Sequence, residues 1–187
     1  MGQLMLVLGG ARSGKSAYAQ RLAQALGGEQ VLFVATAEAG DEEMARRIAR
    51  HQQARPAAWR TVEAPLAVAQ TLHASHGTAR VVLVDCLSLL VSNVLMPLGD
   101  PLDLEAAEGA LRQEVDRLLN LAQTSPATWI VVSNEVGLGL VPETPLGRVY
   151  RDLLGQANQT FAACAQAVYL LVAGLPIEVK ALSSQQQ

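Results

Sequence analysis

The chain has 187 residues, half of them hydrophobic and 17% charged, and its formal net charge is −3. This balance predicts a single folded domain over residues 1–187 and argues against a disordered chain. Because no run or stripe of basic residues occurs in the sequence, we do not expect the chain to bind nucleic acid.

Strand-like and helix-like segments alternate along the chain. Short apolar runs predict strands at residues 4–8, 31–35, 59–62, 81–84, 129–132 and 168–172, with a short edge strand at 177–180. Helices are predicted at residues 16–26, 41–54, 66–73, 103–123 and 146–166, and Asp41 can cap the second of them. In the fourth helix, Leu111, Val115, Leu118 and Ala122 share one apolar stripe. The alternation predicts an α/β fold with a mostly parallel sheet covered by helices on both faces.

Neither a membrane span nor a secretion signal is predicted. No apolar run reaches the roughly 20 residues of a membrane span, and the apolar residues 1–8 are too few and lack a basic leader. Cys86 and Cys164 each lie in an apolar stretch and outside any CxxC pair. That setting favours buried free thiols over a disulfide, and we therefore expect a cytoplasmic protein.

The strongest motif spans residues 9–16 and fits GxxxxGK[ST] in full. It follows a predicted strand and precedes a predicted helix, which is the context that a phosphate loop requires. Glycines let the backbone turn tightly, and N–H groups at the helix N-terminus attract phosphate. We expect a nucleoside triphosphate to contact Gly9, Gly10, Ala11, Arg12, Ser13, Gly14, Lys15 and Ser16. Lys15 should reach the β- and γ-phosphates, and Ser16 should ligate Mg²⁺.

Polar residues at the ends of other predicted strands are further candidates for the site. Asp85 follows the strand at 81–84, where phosphate-loop enzymes carry a second metal-site acid, although such an Asp can also cap a turn. Glu63 follows the strand at 59–62 and faces either a nucleotide or solvent. Asn134 and Glu135 follow the strand at 129–132, at the sheet edge where ligands bind in parallel α/β folds.

His51 stands where a nucleophile could lie. Met44, Ile48 and His51 are spaced for one face of a helix, which by itself favours a packed histidine. Neutral imidazole is nevertheless a good nitrogen nucleophile near neutral pH. The surrounding arginines hold phosphates or form a solvated face: Arg46, Arg47, Arg50 and Arg55. His73 and His76 are three apart, but without a third ligand a surface or capping role is favoured over a metal pair.

Several segments together resemble a known family. They are GGARSGKS at 9–16, ATA at 35–37, DEEM at 41–44, RIARH at 47–51, RP at 55–56, WRTVE at 59–63, SNEVG at 133–137, VPE at 141–143 and residues 148–158. Over nearly the whole chain the sequence looks like the bifunctional adenosylcobinamide kinase/adenosylcobinamide-phosphate guanylyltransferases. The phosphate loop is shared by many folds, whereas the histidine segment and SNEVG make the resemblance specific.

The resemblance implies a fold and a chemistry. The fold is that of a P-loop NTPase with a RecA-like parallel sheet, and the assembly is a homotrimer. The enzyme would phosphorylate the aminopropanol hydroxyl of adenosylcobinamide with ATP or GTP. It would then transfer GMP from GTP to that phosphate, giving adenosylcobinamide-GDP and pyrophosphate. In the family, GMP is first bound covalently to a histidine, and the residue at that position here is His51. The implied cofactor is Mg²⁺, with Ser16 and Asp85 as its ligands.

The resemblance also implies nucleotide contacts beyond the phosphate loop, at Ala35, Thr36, Ala37, Gln52, Gln53, Ala54, Arg55, Glu63 and Asp85. Arg50 precedes His51 where some relatives have a second histidine, so a single candidate nucleophile remains here. Residues 52–54 lack the charges of relatives, and we expect their contacts to run through the backbone. Two other classes stay open: a different small-molecule kinase, such as a nucleoside monophosphate kinase, and a non-enzymatic GTP-dependent switch.

Overall fold

The computed structural model describes residues 2–38, 40, 42–53, 55–75, 77–99 and 103–184; at positions 43, 44, 47, 51, 74, 75 and 184 it describes the backbone alone. Its strands are β1 (Leu4–Gly9), β2 (Val31–Ala35), β3 (Arg60–Glu63), β4 (Val81–Asp85), β5 (Thr128–Asn134), β6 (Ala167–Val172) and β7 (Leu175–Glu178). Its α-helices are α1 (Lys15–Gly27), α2 (Glu42–Gln53), α3 (Val68–Ser75), α4 (Leu87–Leu95), α5 (Leu104–Thr124), α6 (Pro145–Cys164) and α7 (Val179–Ser184). A 3-10 turn, Met96–Leu98, follows α4.

The strands form one sheet in the order β3-β2-β4-β5-β1-β6-β7. All neighbouring strands pair in parallel except β6 and β7, which form an antiparallel hairpin. The predicted α/β class with a mostly parallel sheet is therefore confirmed. Because parallel strands end at the same edge, the segments that follow β1, β2, β4 and β5 meet along one side of the sheet.

Successive residues of the central strands pack on opposite faces of the sheet, as the pleat requires. Leu6 belongs to the core cluster that contains Leu118 of α5 and Phe161 of α6, whereas Val7 belongs to the cluster that contains Ala19 of α1. Leu6, Leu118 and Phe161 have no exposed surface. Burying each such side chain stabilises the fold by about 1.5–3 kcal/mol. Helices thus cover both faces, as predicted.

The long helix α5 confirms the predicted apolar stripe. Leu111, Val115, Leu118 and Ala122 are each at most 4% exposed. The helix begins after Asp103, whose side chain accepts a hydrogen bond from the backbone N–H of Ala106 at 3.1 Å. Such a cap contributes about 1 kcal/mol.

Three features of the chain's fold differ from the prediction. Helix α4, with the sequence LSLLVSNVL, was not expected, although its buried Leu87, Leu90, Val91 and Leu95 have the spacing of one helix face. The edge strand predicted at 177–180 is displaced: β7 is Leu175–Glu178, and α7, also unexpected, begins at Val179. Asp41, the predicted cap of α2, lies outside the described residues. No helix in the described ranges combines the length and the apolar character needed to cross a bilayer.

Candidate active site

The segment between β1 and α1 has the strand–loop–helix context predicted for a phosphate loop. Arg12 has a φ of 56° and Gly14 a φ of 90°, so the backbone enters the left-handed region twice. Gly9 is required for packing, because a Cβ there would lie 2.4 Å from Ser13 Oγ. The turn is closed by a hydrogen bond from Ser13 N–H to the Gly10 carbonyl at 3.3 Å.

Lys15, the first residue of α1, folds back over this loop. Its Nζ donates to the Gly10 carbonyl oxygen at 3.2 Å. The ammonium group is therefore held within the loop, and a phosphate group entering the loop would meet it there. The contact of Lys15 with the β- and γ-phosphates stays a prediction.

A cavity of about 140 Å³ lies against Lys15 and Ser16 at the carboxyl edge of the sheet. It receives side chains from the ends of strands β2, β4 and β5 and from helices α1, α2 and α4. Its lining is Lys15, Ser16, Phe33, Ala35, Ala37, Ile48, Arg55, Asp85, Cys86, Leu89 and Asn134. The structure thus brings together many of the residues expected at the site, including the two candidate metal ligands.

Arg55 is a partly buried cation in this cavity. Its guanidinium carbon lies 3.5 Å from the centre of the Phe33 ring, a cation–π geometry. Burial lowers the pKa of Arg55, and the negative charges of Asp85 and Glu63 oppose that shift. Arg55 Nε is buried without a hydrogen-bond partner. A buried donor without a partner is energetically unfavourable, so Arg55 is suited to an anionic ligand.

Thr36 is fully buried between the ends of β2 and β4. Its hydroxyl donates to the Cys86 carbonyl and accepts from the Cys86 N–H, both at 2.7 Å. Its own N–H donates to the Asp85 carbonyl at 3.2 Å, and its carbonyl accepts from Asn93 Nδ2 at 2.8 Å. Thr36 therefore fixes the backbone at Asp85 and Cys86, and its predicted contact with nucleotide stays a prediction.

The carboxylate of Asp85 affects the thiol that follows it in the chain. Burial, and secondly the charge of Asp85, raises the pKa of Cys86. The Cys86 sulfur lies 3.0 Å from Ser88 Oγ. Cys86 is therefore a neutral thiol in the wall of the cavity and is not suited to act as a thiolate nucleophile.

The segment after β5 packs beside the phosphate loop. Glu135 N–H donates to the Gly9 carbonyl at 3.1 Å, and Asn158 of α6 donates to the Asn134 carbonyl at 3.0 Å. Asn134 lines the cavity, whereas the Glu135 carboxylate accepts from Gly137 N–H at 2.6 Å. Of these two candidates, Asn134 is the one at the cavity wall.

The other predicted residues are distributed around this centre. Glu63 is exposed at the end of β3, and Gln52 and Gln53 are exposed at the end of α2. Ala54 lies outside the described residues. His51 belongs to α2, where its position follows the cavity residue Ile48 by three residues, but its side chain lies outside the described part.

The remaining histidines and cysteines have simpler settings. His73 is exposed on α3, and His76 lies outside the described residues. Within the described ranges no group of three or more His, Cys, Asp or Glu side chains is arranged to hold a metal. Cys86 and Cys164 are both free, as predicted; Cys86 is buried and Cys164 is only half-buried.

Sequence reasoning missed four cavity residues: Phe33, Ile48, Cys86 and Leu89. Phe33 carries a signal that could have been used, because it lies two residues before Ala35 on the same strand and therefore points to the same face. Cys86 directly follows Asp85. Leu89 belongs to the unexpected helix α4, so no sequence signal indicated it.

Sequence comparison identifies the family to which this site belongs. The profile of the family described as "Cobinamide kinase / cobinamide phosphate guanyltransferase", CobU, matches residues 5–179. The chain belongs to the CobU family. The match runs from β1 to the start of α7, and it includes the phosphate loop, α2 and the complete cavity lining.

Curated relatives agree with this membership in the CobU family. The bifunctional adenosylcobalamin biosynthesis protein CobU of Escherichia coli K12 is 43% identical over 95% of this chain and 99% of its own length. The protein named CobP of Pseudomonas aeruginosa is 47% identical over 94% of this chain and 96% of its own length. CobU of Salmonella typhimurium is 42% identical over 95% and 99%, respectively.

Proposed function

We propose that this chain phosphorylates adenosylcobinamide with ATP or GTP and then transfers GMP from GTP to the product, giving adenosylcobinamide-GDP. One observation carries the proposal beyond family membership. Lys15, Asp85 and Arg55 line a single cavity beside the phosphate loop, and Arg55 Nε has no hydrogen-bond partner there. A triphosphate placed in this cavity would meet two cations.

In the kinase step, the oxygen of the substrate hydroxyl attacks the γ-phosphorus, and the bond from that phosphorus to the bridging oxygen breaks. The nucleoside diphosphate leaves, and the hydroxyl proton passes to solvent water. Lys15 would hold the β- and γ-phosphates and neutralise charge that develops on the leaving oxygen. No covalent enzyme intermediate is needed for this step.

In the guanylyl step, a ring nitrogen of His51 attacks the α-phosphorus of GTP, and the bond to the α,β-bridging oxygen breaks. Pyrophosphate leaves, and GMP remains on the imidazole. An oxygen of the substrate phosphate then attacks the same phosphorus, the phosphorus–nitrogen bond breaks, and His51 is restored. Two transfers of moderate difficulty replace one difficult transfer.

The oxygen donors in the cavity fit Mg²⁺. Ser16 and Asp85 offer a hydroxyl and a carboxylate, and Mg²⁺ typically takes one or two such protein ligands together with phosphate oxygens. When bound, Mg²⁺ would neutralise phosphate charge during both transfers. Thr36 would hold the end of β4, and thereby Asp85, in position through its bonds to Cys86.

Labelling tests the histidine step. Incubation with Mg²⁺ and α-³²P-GTP should label the full chain, whereas γ-³²P-GTP should not label it at this site. A phosphorus–nitrogen bond breaks in acid and survives base, and the label should behave in this way. His51→Asn removes the nucleophilic nitrogen and should abolish both the label and GMP transfer.

The matched control is His73→Asn, because His73 is an exposed histidine on another helix. It should label as the unmodified protein does. Phosphorylation of adenosylcobinamide should persist in His51→Asn, since that step relies on positioning and charge. Full guanylyl transfer by His51→Asn, or a label that maps to His73 or His76, would refute the assignment.

We further propose that residues 1–187 form one domain carrying both activities, and that it acts in the cytoplasm as a homotrimer. Leu138, Leu140 and Val141 are exposed apolar side chains in the segment between β5 and α6, which suits a subunit interface. Sedimentation equilibrium at micromolar protein should give about three times the chain mass of 19.8 kDa. A monomer at that concentration would contradict the proposed homotrimer.

A further inference from the structure

The turn between β6 and β7 touches the phosphate loop. Gly174 N–H donates to the Ser13 carbonyl at 2.9 Å. The two backbones approach so closely that a Cβ added at Gly14 would lie 3.2 Å from the Gly174 Cα. Unlike the bond from Glu135 to Gly9, which continues the pairing of β5 with β1, this contact is made by a turn.

The shape of this turn is unusual for its sequence. Val172 pairs with Leu175, so Ala173 and Gly174 form a two-residue loop. Their φ angles are 51° and 85°, the sign pattern of a type I′ hairpin turn. Alanine is uncommon in the left-handed region, so the turn holds a strained residue. All residues of β7 are exposed, and core burial therefore does not account for the hairpin.

The consequence for the loop follows from the planarity of the peptide group. The C=O and N–H of one trans peptide point in opposite directions. Gly174 holds the Ser13 carbonyl, which belongs to the same peptide as the N–H of Gly14. With the carbonyl fixed toward the hairpin, the Gly14 N–H must point away from it. Backbone N–H groups of a phosphate loop are the groups that bind phosphate.

We propose that Gly174 is a positioning residue for phosphate binding: its N–H, presented by the left-handed β6–β7 turn, keeps the Ser13–Gly14 peptide oriented so that the Gly14 N–H faces the bound phosphates. This inference rests on the proposed function, because it requires the loop to bind a triphosphate. Gly174 itself contacts the loop backbone and acts through Gly14.

Two substitutions at position 174 separate backbone shape from side-chain bulk. A Cβ at Gly174 would meet nothing within 4 Å, so neither Gly174→Asn nor Gly174→Val introduces a clash at its Cβ. Asparagine tolerates positive φ, whereas a β-branched valine does not. Gly174→Val should weaken binding of inorganic tripolyphosphate in the presence of Mg²⁺ by about tenfold. Gly174→Asn should stay within about twofold of the unmodified protein.

A single-atom change tests the hydrogen bond directly. Cys164 is a native ligation site, so a synthetic segment of residues 164–187 can carry glycolic acid at position 174, which replaces the N–H by an ester oxygen. After refolding, this chain should also bind tripolyphosphate about tenfold more weakly than the all-amide ligated chain. If the ligated chains do not refold, the pair of substitutions decides the question.

The outcomes distinguish the inference from the proposed function. Failure of the unmodified protein to bind tripolyphosphate or GTP would reject phosphate binding by the loop. If the unmodified protein binds but Gly174→Val binds equally well, the positioning role is wrong. Equal losses in Gly174→Val and Gly174→Asn would also reject it, because the effect would then come from bulk. Thermal unfolding of each variant serves as the folding control.

Discussion

Replacing Thr36 by valine removes one buried hydroxyl and keeps the shape of the side chain. In the native protein this hydroxyl bonds to both the N–H and the carbonyl of Cys86, each at 2.7 Å. The Cys86 carbonyl also accepts from Leu90 N–H at 3.2 Å, whereas the Cys86 N–H donates to the Thr36 hydroxyl. In the valine variant, the buried Cys86 N–H without a partner should lower the free energy of unfolding by about 1–3 kcal/mol. Loss of the hydrogen bond to the Cys86 carbonyl should lower it by about 1 kcal/mol more.

Thr36→Val should therefore lower the free energy of unfolding by roughly 2–4 kcal/mol, a large part of the 5–15 kcal/mol typical of a domain. Urea unfolding measures this difference, with Thr36→Ser as the control because serine keeps the hydroxyl. The same loss should displace Asp85 and raise the Mg²⁺ concentration needed for half-maximal GTP binding. A valine variant within about 0.5 kcal/mol of the native stability would refute the reasoning.

Two further predictions concern a half-buried phenol, that of Tyr150, and the loop lysine. Burial, and secondly the nearby Cys86, raises the pKa of Tyr150 to about 12 from an ordinary 10.0. Since the unfolded chain ionises first, this contribution to stability is complete below pH 10 and is lost as the pH rises to about 12. In Tyr150→Phe, the free energy of unfolding measured in urea should fall less steeply as the pH rises from 10 to about 12. The same pH dependence in the variant and the native protein would contradict this prediction. Lys15→Ala removes the ammonium held at Gly10 and should weaken GTP binding and slow both reactions by about 10- to 100-fold. Retention of the native kinase rate would show that Lys15 has another role.

Much of the fold could be predicted because its signals are local. The strands β1, β2, β4 and β5 are short apolar runs buried on both faces, and such runs are recognisable without knowledge of their neighbours. Helix α4 was not predicted. Its buried Leu87, Leu90, Val91 and Leu95 have the spacing of a helix face, but the helix has only 9 residues and Cys86 at its N-cap makes no side-chain cap hydrogen bond, so no start signal marks it. Strand β7 is exposed along its length, so it lacks the alternation that marks a half-buried strand.

The parts of the candidate site that a local sequence motif marks could be predicted from the sequence. The phosphate loop and Asp85 are of this kind. The stacking of Arg55 on Phe33 and the bonds of Thr36 to Cys86 depend instead on which strands become neighbours. The register that sets Ala35 beside Asp85 is a long-range property of the sheet, and no local pattern in the sequence specifies it.

The central place of β1 has a consequence for synthesis of the chain. Leu4 pairs with Trp129 of β5, and Met5 pairs with Ala167 of β6, so both sheet neighbours of β1 are synthesised more than 100 residues after it. Contacts between segments so distant in the chain form late. A nascent chain halted after β4 contains the full loop motif but lacks both strands that flank β1. The loop motif can therefore take its place in the complete sheet only after β5 and β6 have been synthesised.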